Sequence, residues 1–186
     1  MKILKLLPLF VILVFLSACS NLDIQQLNQK AMEYMQQGDV DSAIARLESI
    51  NDLNPNFPQT NYNLGIAYHK KHEYKKAIAS LDKATELKKD FAQAYYTKGV
   101  IYEEMAINIF EPENSQNENN TKGKLTLQDK QKAVEYFKKS AENFEEYLNY
   151  SPTAQDANEV KAKIEQLNKD SNHYSSSIDS SSKGNN

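Results

Sequence analysis

The chain has 186 residues and a formal charge of -3, with 22 Lys and Arg against 25 Asp and Glu, so it lacks the basic excess of a nucleic-acid binder. A single cysteine excludes an internal disulfide, which leaves burial to hold the fold. Five glycines, five prolines, no tryptophan and a middle rich in Ala, Glu, Lys, Gln and Leu, residues that lose little in a helix, predict an all-helical chain with one elongated core.

Residues 1–18 read as a segment outside that fold. Lys2 and Lys5 precede the apolar run LLPLFVILVFL and then Ser17, Ala18 and Cys19, which is the order of an export signal. The run holds about a dozen apolar residues, short of the roughly 20 that cross a bilayer as a helix. Leu16-Ser17-Ala18-Cys19 resembles the bacterial lipobox. That resemblance implies cleavage before Cys19, acylation of its thiol and amino group, and a short lipidated tether over residues 19–23. Ser20 after the cysteine, where Asp would retain such a protein at the inner membrane, implies the outer membrane facing the periplasm if the cell has one. Without Lys2 and Lys5 the balance is 20 basic against 25 acidic side chains, so the membrane contact expected here is through lipid rather than through a basic patch.

From residue 24 the chain repeats at a spacing of 34. Tyr34, Tyr68 and Tyr102 fall in one column; Ala31, Gly65 and Gly99 in a second; Ala43 with Ala77, Leu47 with Leu81, and Phe57 with Phe91 fill three more. A small residue three before an aromatic and an alanine nine beyond it, at this period, resembles the tetratricopeptide repeat, a helix-turn-helix unit. The resemblance implies an all-α, right-handed solenoid of about three hairpins, with residues 24–57, 58–91 and 92–150 as repeats. The missing side chain of Gly65 lets the second helix of its hairpin approach, where Ala77 answers it, and Ala77, Ile78, Leu81 and Ala84 form a stripe that needs cover. Gly38 sits in the turn of repeat one, whereas His72 stands at the equivalent place in repeat two.

The third repeat departs from this pattern. Its first helix runs longer, and the polar stretch EPENSQNENNTKGK predicts a disordered insertion at about 110–126. A helix resumes near Leu127 with Val134, Phe137, Ala141, Phe144 and Leu148 at spacings of 3 and 4. Ala133 and Ser140 both fit the repeat's alanine column. Residues 153–169, with Ala157, Val160, Ile164 and Leu167 on one face, predict a capping helix, and the Ser/Asn-rich residues 170–186 predict a flexible tail.

Motifs of nucleotide, hydrolase or zinc-protease chemistry are absent from the sequence, so no enzyme activity, cofactor or small-molecule substrate is expected. His69 and His72 raise the question of a metal site, but no third histidine or cysteine accompanies them, and stable sites take three or four ligands. The family resemblance implies instead a concave groove lined by the first helix of each repeat, which places Asn28, Met32, Tyr62, Ile66, His69, Tyr96, Val100 and Glu103 against a protein or peptide partner. Some members of the family grip a terminal carboxylate with basic side chains there. The column that matters holds Asn28, Tyr62 and Tyr96, which suits a helix or extended peptide with apolar anchors. The packing set is Ala31, Tyr34, Ala43, Gly65, Tyr68, Ala77, Gly99 and Tyr102. The expectation is a lipid-anchored envelope scaffold that assists assembly or maintenance of envelope complexes. A noncatalytic subunit of an envelope enzyme complex is the other reading.

Overall fold

The computed structural model describes residues 23–110 and 125–183. Cys19, the export segment and most of the predicted insertion at 110–126 lie outside the described residues. Seven helices and no strand are found among them: α1 (23–36), α2 (Val40–Leu53), α3 (Pro58–Lys70), α4 (Tyr74–Leu87), α5 (Ala92–Phe110), α6 (Leu127–Tyr150) and α7 (Ala157–Lys183). Consecutive helices pack in chain order from α2 to α7, and α3 also meets α5. This is the predicted solenoid of three hairpins closed by a terminal helix.

Local chemistry sets the ends of these helices. Asp39 caps α2 by accepting from the Ser42 N–H at 3.1 Å. Pro58 opens α3 where a missing N–H costs nothing. Thr126 and Asp129 form a reciprocal capping box at the start of α6, each side chain accepting from the other's backbone N–H at 3.1 Å. The α1–α2 and α3–α4 turns close alike: Asp39 N–H donates to the Tyr34 carbonyl at 2.9 Å and Glu73 N–H to the Tyr68 carbonyl at 2.9 Å. Both need a left-handed residue, supplied by Gly38 at φ 81° and by His72 at φ 57°.

The repeat columns are the contacts between helices. Ala31, Ala43 and Ala77 have no exposed surface, and Tyr68 is buried with its hydroxyl donating to Glu48. Tyr34 is half-buried beneath Lys30 and Arg46, and Tyr102 is half-buried beside Tyr136 and Lys139. A Cβ on Gly65 would lie 2.5 Å from Leu81 Cγ and 3.3 Å from the Ala77 carbonyl, so the hairpin closes only over hydrogen there. At Gly99 a Cβ would lie 2.9 Å from the Phe144 ring, and the Gly99 carbonyl accepts from Ser140 Oγ at 2.8 Å. Ser140 therefore takes the place of Ala77, and Phe144 that of Leu81, which settles the register of the third repeat. The insertion lengthens both helices of that hairpin, to 19 residues in α5 against 13 in α3 and to 24 in α6 against 14 in α4.

The flexible tail expected at 170–186 is not found over residues 170–183, where α7 continues past the expected cap through Lys183. The reason is the spacing of the few residues that can pack. The stripe Ala157, Val160, Ile164, Leu167 goes on at Ser171 and Tyr174; Ser171 is 2% exposed, and the Tyr174 ring stacks on Phe137 with centroids 6.1 Å apart. Phe137, equivalent to Tyr74 at the start of α4, supplies the ring that this last stretch of α7 covers.

Candidate functional site

The first helix of each hairpin contributes to one face of the stack, and the predicted groove residues on it have separate fates. Asn28 is buried. Its Nδ2 donates to the Ile24 carbonyl at 3.0 Å and to Thr60 Oγ1 at 2.8 Å, while its Oδ1 accepts from Asn63 Nδ2 at 3.0 Å. Every polar atom of this side chain joins or braces α1 and α3, so it presents nothing to a partner. Met32 and Ile66 are half-buried against the first core, and Val100 against the second.

Two other predicted residues are occupied by polar contacts between helices. His69 Nε2 lies 2.8 Å from Glu104 Oε2, linking α3 to α5. Glu103 accepts from Lys163 Nζ at 2.8 and 2.9 Å, linking α5 to α7. His72 lies in the α3–α4 turn with Nδ1 3.0 Å from the Tyr74 hydroxyl, and the rings of both histidines pack against Tyr74, at 5.8 Å for His72 and 6.1 Å for His69. No group of three or more His, Cys, Asp or Glu side chains placed to hold a metal occurs among the described residues.

Tyr62 and Tyr96 do come together, on the wall of a cleft of about 480 Å³. The Tyr62 ring rests 4.9 Å from Phe91, and Tyr96 stands edge-on to Phe144 at 5.4 Å and to Tyr147 at 5.1 Å. One neighbouring ring against Tyr62 and two against Tyr96 orient them before any ligand arrives, which lowers the entropy lost on binding. The rest of the cleft comes from Gln93 and from residues the family resemblance did not point to: Tyr147, Tyr150 and the α6–α7 connection with Pro152 and Asp156. Their signal in the sequence is Tyr150-Ser151-Pro152, which ends the third hairpin beside the start of α5.

The cleft has no lysine, arginine or histidine in its lining, and Asp156 is its one charged residue. Tyr147 donates to Asp156 Oδ1 at 2.7 Å. That bond to a carboxylate, followed by burial, pushes the Tyr147 phenol up to about 12, and its one proton is committed to Asp156. Burial also raises the phenol of Tyr95, which stacks on Tyr150 at 5.4 Å behind the cleft. The arrangement offers aromatic faces and hydroxyls to a ligand. It offers no cation to a carboxylate. No helix among the described residues is long and apolar enough to cross a membrane.

No curated protein matches the chain at a significant level. The tetratricopeptide repeat family model matches residues 34–99. Among solved structures, the first tetratricopeptide domain of Spaghetti (RPAP3) bound to the HSP90 peptide SRMEEVD is 20% identical, with a TM-score of 0.55, over 77% of this chain and 90% of that one. The first such domain of human RPAP3 is 19% identical, with a TM-score of 0.58, over 81% and 95%. The TPR2B domain of yeast Sti1, in its complex with pHsp70, is 18% identical, with a TM-score of 0.50, over 78% and 98%. At these identities the likeness is one of fold. The tetratricopeptide match therefore covers residues 34–99, about a third of the chain, and the same helical-hairpin fold continues beyond it to α7.

Proposed function

We propose that this protein is a lipid-anchored, noncatalytic adaptor that holds a segment of a partner protein in the Tyr62–Tyr96 cleft at a bacterial membrane surface, in the assembly or maintenance of envelope complexes. The observation that carries the reading is the cleft itself: preset aromatic rings, hydroxyl donors and no opposing cation. Aromatic side chains with a polar handle are the usual anchors of protein interfaces. The similar domain of Spaghetti was solved with the peptide SRMEEVD, three of whose seven residues are acidic. The lining described above selects a different peptide here, one with apolar or aromatic anchors.

The membrane part of the proposal rests on the sequence alone, on the basic, apolar and small-residue order that ends at Cys19. Only residues 20–22 lie between Cys19 and α1, a reach of about 10 Å, which puts repeat one next to the headgroups. Two experiments test the two halves. A photoreactive residue at Gln93 or Tyr62 should trap a protein in living cells; recovery of no crosslinked protein at either position would overturn the groove reading. Cys19→Ser should move the chain from the detergent phase to the aqueous phase on phase separation, and equal partitioning of the two forms would refute the anchor.

A further inference from the structure

A second cleft, of about 490 Å³, lies on the edge of the solenoid that carries the α3–α4 turn, away from the Tyr62–Tyr96 cleft. It exists because the insertion lengthens the third hairpin: the last turns of α5 and the first turns of α6 overhang the start of α4. Its floor is apolar, made by Tyr74, Met105, Ile109 and Tyr136. Its rim carries Lys75, Lys76 and Lys132 against a single carboxylate, Glu73, which Lys76 holds at 2.6 Å. All three lysines are exposed, and the Lys132 ammonium stands 5.7 Å over the Tyr136 ring.

An independent feature points to the same place. His72 lines this cleft in a left-handed backbone conformation, φ 57°, where the equivalent turn of repeat one uses Gly38. A side chain in that region is strained and glycine relieves it. The His72 ring lies edge-on to Tyr74 at 5.8 Å, with Nδ1 3.0 Å from the Tyr74 hydroxyl, on the wall of the cleft. Strain held at a cleft wall is the pattern of a binding position rather than of a turn built for stability.

We infer that this cleft binds a partner protein segment bearing an apolar side chain between carboxylates, the apolar group resting on Met105, Ile109 and Tyr136 and the acids meeting Lys75 and Lys132. The charges of rim and ligand are complementary, and this surface is separate from the one proposed above, so either can fail without the other.

The test is selection of random dodecapeptides on phage against the immobilised full-length chain, followed by fluorescence anisotropy with the enriched peptides. Enriched sequences should set Leu, Ile, Met or Phe between Asp or Glu residues. Their affinity should fall about tenfold or more in the Lys75→Glu, Lys132→Glu double variant and stay unchanged in Gln93→Arg, which alters only the other cleft. His72→Gly should melt at the same or a higher temperature yet bind the peptides more weakly. Enrichment of no acidic-apolar class, or peptides indifferent to the two lysines or lost in Gln93→Arg, would overturn the inference. So would phosphatidylglycerol vesicles that compete with the peptides for Lys75 and Lys132, since they would make this a lipid surface.

Discussion

Asn28 shows how a residue's repeat position and its role can separate. By column it belongs with Tyr62 and Tyr96, and the family resemblance sends all three to the groove. In the fold it is 4% exposed and bridges to Thr60 and Asn63, residues more than thirty positions away that no local pattern connects to it. Asn28→Ala removes three bonds and leaves Thr60 and Asn63 short of partners, at a cost of about 1–3 kcal/mol. Urea denaturation should show a lower midpoint with crosslinking from Gln93 retained; an unchanged midpoint would mean that the bridge contributes nothing. Tyr147 supports a pH prediction. Its phenol, ordinarily at 10.0, titrates near 12 in the folded chain, so between those values the unfolded state binds fewer protons than the native one. Stability from this group is complete below about pH 10 and is lost as the pH rises toward 12. Comparing thermal midpoints of the parent and Tyr147→Phe across that window should show the shallower decline in the variant; parallel curves would remove Tyr147 from the account.

Among the elements, the two regular hairpins were readable from the chain because each column is a contact: Gly65 against Leu81 and Ala77 is the same statement in sequence and in space. The third hairpin was ambiguous because an insertion breaks the period, and only the approach of Gly99 to Phe144 and Ser140 decides its register. The end of α7 was misread for a different reason. Serine-rich composition suggests a solvated tail, but composition ignores spacing, and Ser171 and Tyr174 fall on the buried stripe begun at Ala157. A chain ending after Lys169 should therefore lose the cover that Tyr174 gives Phe137, at about 2 kcal/mol. Hydrogen exchange offers the direct check: amides of residues 170–178 should be protected in the full chain, and exchange there at unstructured rates would end α7 where the cap was first expected.

In the molecule as a whole, the buried side chains fall into two clusters that meet along α5. One gathers Met35, Leu47, Leu64, Leu81 and Ile101; the other gathers Phe137, Phe144, Val160 and Leu167. A repeat stack owes its stability to each unit and to the interface with its neighbours, so damage to one cluster need not reach the other at once. Leu47 and Phe144 are each fully buried, one in either cluster. Leu47→Ala should cost roughly 2–5 kcal/mol and Phe144→Ala roughly 3–5 kcal/mol. The informative quantity is where protection is lost. In native-state hydrogen exchange, Leu47→Ala should lower protection in α1–α4 first and Phe144→Ala in α5–α7 first, with α5 falling in both. The Tyr62–Tyr96 cleft is made by helices from both clusters, so either substitution should loosen one wall while the other stays ordered. Equal loss of protection along the whole chain in both variants would show a single cooperative unit, in which the cleft survives or disappears only with the entire fold.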